Sequence, residues 1–236
     1  MSERFFVPPI GDDEKVRLTG DEAHHLARVC RLRAGQAVVL FDGTGVECDA
    51  EVLEVGRREV VLSIATRRAV SRELPFALTL ACCLPKPDRA RWLIEKATEL
   101  GVSRFVPLVT ARASESARGV DGDKLRRWVI EASKQCGRNV LMDVTPPSDW
   151  RNFAGAVSAD CVLLIASRSG ESLRDRWDDV IARRANGVVL AVGPEGGFTD
   201  EEESLAIACG WTAVSLGPRV LRIETAALAL LVCATI

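Results

Sequence analysis

With 236 residues, 47% of them apolar, and a formal net charge of −2, the chain is long enough for two domains with cores of their own. It is no polycation that would hold nucleic acid by bulk charge. Its first residues, Met1-Ser2-Glu3-Arg4, are charged and lead into no secretory apolar core, and no uninterrupted apolar run reaches the length of a membrane span, so a soluble cytoplasmic protein with no membrane partner is expected.

The chain opens on the extended Phe5-Phe6-Val7-Pro8-Pro9. Asp21 then caps a short amphipathic helix that carries Ala23, Leu26, Ala27 and Cys30 on one side and stops near Gly35. Residues 37–41, a turn through Asp42-Gly43-Thr44-Gly45, and residues 47–55 and 59–65 alternate or cluster β-formers between turn signals. Together these predict a compact β-rich module with one helix. The polar stretch Arg67-Arg68-Ala69-Val70-Ser71-Arg72-Glu73-Leu74-Pro75 places the domain boundary, giving domains at residues 1–72 and 76–236.

Beyond it, strand and helix alternate. Residues 76–84 form an apolar strand, followed by a helix with Leu93, Ala97 and Leu100 at helical spacing that closes at Gly101. Residues 104–110 read as strand, 123–136 as helix, 160–166 as strand, 173–184 as helix and 187–192 as strand. Thr199-Asp200-Glu201-Glu202 is a capping box that opens the next helix, 213–216 is a strand, and 224–236 is an apolar final helix. Such alternation predicts an α/β domain with a parallel sheet covered on both faces. The final helix is apolar almost all round, so the monomer core or a second subunit must cover it. Between Leu84 and Arg138 basic residues outnumber acidic ones, which suits a nucleic-acid footprint or a solvated helix face.

The eight cysteines, Cys30, Cys48, Cys82, Cys83, Cys136, Cys161, Cys209 and Cys233, stand singly or side by side without a C-x-x-C pair. His24 and His25 would point about 100° apart on a helix. Reduced core thiols and no metal are expected.

Two glycine-bearing turns dominate the C-terminal part. Gly193-Pro194-Glu195-Gly196-Gly197-Phe198 follows the apolar strand ending at Val192, and Leu216-Gly217-Pro218-Arg219-Val220-Leu221-Arg222 follows Ala213-Val214-Ser215. Apolar strands entering glycine turns mark the C-terminal edge of a buried parallel sheet, where open α/β folds bind ligands. The turns lack the Gly-Lys-Ser/Thr ending of a P-loop and the G-x-G-x-x-G pattern of a dinucleotide fold, so neither ATP nor NAD is favoured.

These two turns, with Ile223-Glu224-Thr225-Ala226 after the second, closely resemble the signature of the SPOUT RNA methyltransferases, and within them the 16S ribosomal RNA N3-uridine methyltransferase family. Lys86-Pro87-Asp88-Arg89, Lys96-Ala97-Thr98-Glu99-Leu100-Gly101-Val102 and Glu131-Ala132-Ser133-Lys134-Gln135-Cys136-Gly137-Arg138 extend the likeness across most of the chain. The chain departs from the pattern at Pro87, at Ala111 and at Ala166-Ser167-Arg168, and it ends a little earlier than relatives usually do.

The resemblance implies a small PUA-like β-barrel ahead of a SPOUT domain whose C-terminal segment forms a deep trefoil knot. That knot would be the S-adenosylmethionine (SAM) pocket, built from Ile165, Ala166, Val192, Gly193, Pro194, Glu195, Gly196, Gly197, Ser215, Leu216, Gly217, Arg219, Leu221 and Arg222. Arg222 would stabilise the uridine anion, and Glu224 would position Arg222 or accept the proton. Arg28, Arg31, Arg33, Lys86, Arg89, Arg112, Gln135 and Arg138 would grip the RNA, with 16S rRNA in the 30S subunit as partner and a homodimer formed through the knot and final helix. The residues taken alone leave open a methyltransferase for another RNA site or atom, a noncatalytic RNA-binding or assembly protein, and a small-molecule enzyme of ordinary doubly wound topology.

Overall fold

The computed structural model describes residues 3–7, 9–113 and 121–235. Pro8, Arg118 of the basic stretch and Ile236 of the final helix therefore lie outside the described residues. The chain divides into two units, Met1–Glu73 together with Ile130–Leu141, and Leu74–Val129 together with Met142–Ile236.

In the first unit, strands β1 (Arg4–Phe6), β2 (Lys15–Thr19), β3 (Ala37–Phe41), β4 (Val46–Val55) and β5 (Glu59–Ala69) make one sheet in the order β1-β3-β4-β5-β2. All its pairings are antiparallel except β1 with β3. The side-chain alternation read from the sequence is what folds it: Val38 and Leu40 of β3, Val52 of β4, and Val60 and Leu62 of β5 all point into one core with Phe5, Leu18 and Leu26. Register shifts between Asp49 and Ala50 and between Val52 and Glu54 bend β4 and β5, curling the sheet round that core. The expected barrel is thus a curled sheet with β1 and β2 at its edges.

Helix α1 (Gly20–His24) runs straight into a π-helical turn at His25–Val29, in which the Cys30 amide donates to the His25 carbonyl at 2.9 Å. Asp21 does not cap it, contrary to the sequence expectation. Thr19 holds the N-cap position without a side-chain bond, and Asp21 sits in the first turn, where its charge favours the helix dipole. The chain leaves the π-turn through Arg31, whose φ of 54° is in the left-handed region.

Residues 130–141 are tied into this unit by charge. Lys134, its side chain 4% exposed, lies 2.6 Å from Glu22 and 3.0 Å from Glu131. Arg138 Nε donates to Glu73 at 3.0 Å, and the Asn139 amide donates to the Val70 carbonyl at 3.1 Å. Glu47, also buried, accepts from Arg4 at 2.8 Å and Arg72 at 3.1 Å.

The second unit holds β6 (Leu78–Cys82), β7 (Arg104–Val109), β8 (Asp143–Val144), β9 (Ser148–Asp149), β10 (Val162–Ser172), β11 (Val188–Val192) and β12 (Thr212–Ser215). They form a parallel sheet in the order β12-β10-β11-β6-β7-β8, with β9 beside β7. The central β11 is buried at every position, as a strand covered on both faces must be. Its helices are α2 (Pro87–Glu99), the first half of α3 (Gly122–Cys136), α4 (Trp150–Ala156), α5 (Leu173–Arg183), α6 (Asp200–Ala208) and α7 (Ile223–Thr235). Helix α2 ends as expected at Gly101, whose φ of +81° closes the last turn. Every cysteine is a free thiol. Burial pushes the Cys83 thiol up to about 12 and raises that of Cys82 well above the ordinary thiol value, which makes both inert core groups.

Candidate functional site

The C-terminal ends of β10, β11 and β12 open into a cavity of about 540 Å³, enough for a ligand the size of a nucleoside conjugate. Three loops enclose it. The first is the turn after β11. Gly197, with φ of +71°, closes it by donating to the Pro194 carbonyl at 2.8 Å, and a Cβ on Gly193 would sit 3.0 Å from the Phe198 ring. Phe198 is buried and packs on Trp150 at 4.7 Å between ring centroids, and Trp150 meets Trp211 edge-on at 5.3 Å.

Directly after Phe198, α6 starts with the predicted capping box: Thr199 accepts from the Glu202 amide at 3.2 Å, and Glu202 Oε2 accepts from the Thr199 amide at 2.9 Å. The other carboxylate oxygen of Glu202, a buried residue, accepts from the Ala111 amide at 2.8 Å. The turn is thereby fixed below by aromatic packing and behind by a shared carboxylate.

The second loop, residues 216–222, begins where the Ser215 hydroxyl accepts from the Gly217 amide at 3.3 Å, with Gly217 at φ of +107°. Leu216 and Leu221 are half-buried walls, whereas Arg219, Val220 and Arg222 are exposed. The third loop is a break in β10. Pairing with β12 runs through Ala166 against Val214, then resumes with Glu171 against the same Val214, so residues 167–170 bulge toward the cavity. Gly170 lets the strands meet, because a Cβ there would lie 2.5 Å from the Ala213 carbonyl carbon.

Most of the sequence-predicted pocket residues line this cavity: Ala166, Val192, Gly193, Pro194, Glu195, Gly196, Gly197, Ser215, Leu216, Gly217, Arg219 and Leu221. Ile165 does not. It is fully buried in the sheet, because β10 stays regular through that position and the bulge begins after Ala166. Arg222 lies just past the lining, and its guanidinium has no ion-pair partner among the described residues. Glu224 turns away from the expected pairing with Arg222: its Oε1 is 3.4 Å from Arg89 Nη1 of α2, while the buried Oε2 has no hydrogen-bond partner among the described residues.

The residues expected to grip RNA separate by environment. Lys86, Gln135, Arg28, Arg31 and Arg33 are exposed, and Arg89 is half-buried against Glu224. Arg138 is 3% exposed and held by Glu73, so it is a structural cation and the expectation of an RNA contact there is corrected. Arg112 points inward along the turn, and its Nη1 donates to the carbonyls of Gly196 at 2.8 Å and Phe198 at 3.0 Å. Sequence reasoning missed this clasp, as it missed Ser169, Asp200 and Glu203 on the rim, where the Ser169 hydroxyl donates to Glu203 at 3.1 Å. The capping box announces where α6 starts, but nothing in it says that the first turn of that helix faces the cavity.

Comparison with known proteins gives the site its context. The model of an RNA methyltransferase domain matches residues 72–235, and that of an RNA methyltransferase PUA domain matches residues 18–65. The ribosomal RNA small subunit methyltransferase E of Synechocystis is 36% identical over 96% of this chain and 75% of its own length, and that of Bacillus subtilis is 30% identical over 96% and 93%. The crystal structure of ribosomal RNA small subunit methyltransferase E from Neisseria gonorrhoeae, bound to S-adenosyl methionine, superposes with a TM-score of 0.88 at 29% identity, covering 98% of this chain and 96% of that one. By its matched domains, its identity to these relatives and its whole-chain fold, the chain belongs to the ribosomal RNA small subunit methyltransferase E family.

Proposed function

We propose that the chain methylates N3 of one uridine in 16S rRNA with SAM as cofactor, acting on the small ribosomal subunit in the cytoplasm. The observation that carries this reading is the cavity at the sheet's C-terminal edge, enclosed by the two glycine turns in a chain whose fold matches a SAM-bound relative along its whole length. The cavity suits such a group: its volume is adequate, its turns offer backbone N–H and C=O groups where glycine removes the Cβ, and Leu216 and Leu221 supply apolar walls. Backbone of residues 166–168, 193–197 and 215–221 would hold it. SAM supplies a methyl group on a sulfonium.

The chain's own task is then to expose and deprotonate uridine N3, whose neutral form has no available lone pair. Negative charge spreads onto the two flanking carbonyl oxygens, and a guanidinium beside them lowers the barrier. Arg222, exposed at the rim and without an ion-pair partner among the described residues, takes this role. Glu224 holds Arg89 through one oxygen and offers the unpartnered other as proton acceptor. A uridine in folded RNA must be unstacked first, which costs a few kcal/mol, and Lys86, Gln135 and the arginines 28, 31 and 33 grip the displaced strand.

The family's trefoil knot belongs to the same reading, with the segment after β12 threaded to form the pocket. So does a homodimer through α7, which keeps Leu228, Ala229, Val232 and Cys233 only half-buried beside its fully buried stripe. The experiment is transfer of labelled methyl from SAM to 30S subunits and to naked 16S rRNA lacking the modification, followed by nucleoside mass spectrometry. N3-methyluridine is expected. A different methylated nucleoside overturns the target atom, and RNA binding without any transfer overturns the enzyme.

A further inference from the structure

A second cavity, of about 600 Å³, lies wholly within the first unit, between α1 with its π-helical turn and the tip of the β4–β5 hairpin. His24, Ala27 and Arg28 line one side, and Val55, Arg57 and Arg58 the other. The hairpin turn is tight: the Gly56 amide donates to the Glu59 carbonyl at 2.9 Å, which sets Arg57 and Arg58 at its two central positions.

The arginines of this unit divide sharply by partner. Arg4, Arg17, Arg68 and Arg72 each meet a carboxylate, and Arg67 donates to backbone carbonyls. The guanidinium groups of Arg28, Arg31, Arg33, Arg57 and Arg58 are exposed and have no acceptor among the described residues, and three of them, Arg28, Arg57 and Arg58, line this cavity. Glu59, the one acid on the lining, is occupied by Arg17 at 2.8 Å. The groove is therefore positive in a protein whose net charge is slightly negative. The π-turn sharpens the feature, because its wide winding leaves Arg28 exposed and Val29 63% exposed, and π-turns inside helices frequently mark functional sites.

We propose that this groove is a clamp for the RNA backbone, in which Arg57 and Arg58 of the hairpin tip face Arg28 across one or two phosphates while the strand's apolar surface lies on Val55. It rests on the RNA-substrate reading above and adds the hairpin arginines to it. Guanidinium suits the task because its planar fork donates two parallel bonds to a phosphate, and three such groups with no internal acceptor are complementary to a polyanion with charges at regular spacing.

The test is the double variant R57A/R58A in the full-length protein, with R57K/R58K beside it. Binding of a single-stranded RNA oligonucleotide, of naked 16S rRNA and of intact 30S subunits is followed by fluorescence anisotropy from low to high salt without SAM, and SAM affinity by calorimetry. The alanine variant is expected to raise the RNA Kd about tenfold and to lower the slope of log Kd against log salt by about 1.4, roughly 0.7 for each phosphate no longer neutralised, with SAM affinity unmoved. The lysine variant should restore most of the slope. Unchanged RNA affinity and slope overturn the clamp, as does a loss confined to intact 30S subunits, which would assign the groove to a protein contact. If the wild-type chain binds RNA through this groove yet methylates nothing, the clamp stands and the enzymatic reading falls.

Discussion

Replacing Arg112 with alanine tests how the glycine turn after β11, proposed to hold the cofactor, is fixed. One guanidinium nitrogen donates to both the Gly196 and the Phe198 carbonyls, at 2.8 and 3.0 Å, and thus bridges the two ends of the tightest part of the turn. Arg112 is exposed, so water replaces part of these bonds in the variant, and each is worth about 0.5–1 kcal/mol net rather than the full value of a charged hydrogen bond. Together they amount to about 1–2 kcal/mol, a factor of roughly 5 to 30. If the freed turn spends correspondingly less time in its binding shape, the apparent SAM affinity falls by up to that factor although every group that touches the ligand is still present. Calorimetric titration with SAM in the absence of RNA should show this. Thermal stability should fall by no more than roughly 2–8 °C, and RNA affinity measured separately should stay as it was. An unchanged SAM Kd combined with weaker RNA binding and a shallower salt slope would refute the argument and return Arg112 to the RNA-gripping set.

Gly170→Ala should be the most damaging small change near the site. Its methyl group would lie 2.5–2.6 Å from Ala213 and Val214 backbone, which cannot swing aside, so a loss of about 3 kcal/mol and a fall in Tm of roughly 6–12 °C are expected by calorimetry. Gly217→Ala meets nothing within 4 Å and should cost only the left-handed backbone penalty of about 1–2 kcal/mol; equal damage from both would refute the packing argument. Arg222→Ala should abolish methyl transfer while circular dichroism and SAM binding persist, and near-normal nucleoside yield would remove Arg222 from the chemistry.

Glu47 gives a pH signature. Burial acts to raise its pKa, but hydrogen bonds from Arg4, Arg72 and Asn139 outweigh this and hold it below the ordinary 4.5. Its stabilising contribution is therefore complete above pH 4.5 and is lost as pH falls through the lowered value. Glu47→Gln should be less stable at neutral pH and should flatten the acid limb of the stability curve measured by urea unfolding; an acid limb identical to wild type would sink the idea.

Much of this architecture was legible in local patterns. The apolar run of β11, the turn chemistry around Gly193 and Gly197, and the Thr199–Glu202 box each have a cause that lies within a few residues, so reading them needed no tertiary information. The matching family rested on the same stretches. What escaped were elements whose reason is remote. Strand β2 buries only Leu18 fully and exists because β5 offers it a ladder. Helix α4 is only seven residues long, yet it seats Trp150 beneath the glycine turn after β11. Charge sign alone could not separate Arg138, enclosed with Glu73, from Arg28, which faces solvent. Nor could it foresee that Arg112 would spend its donors on backbone carbonyls.

The segment at residues 130–141 has a consequence for how the protein is made. Lys134, Arg138 and Asn139 supply partners to Glu22, Glu73 and Arg4, all of which leave the ribosome's exit tunnel earlier by more than half a hundred residues. A nascent chain stopped after residue 73 has the strands and the apolar core of its first unit, but Glu22, Glu73 and Arg4 still lack their partners Lys134, Arg138 and Asn139. The unit proposed to hold RNA thus gains its last polar contacts only after β6, α2 and β7 of the second unit have been synthesised. Vectorial synthesis therefore closes the first unit's polar contacts only when part of the second has already been made.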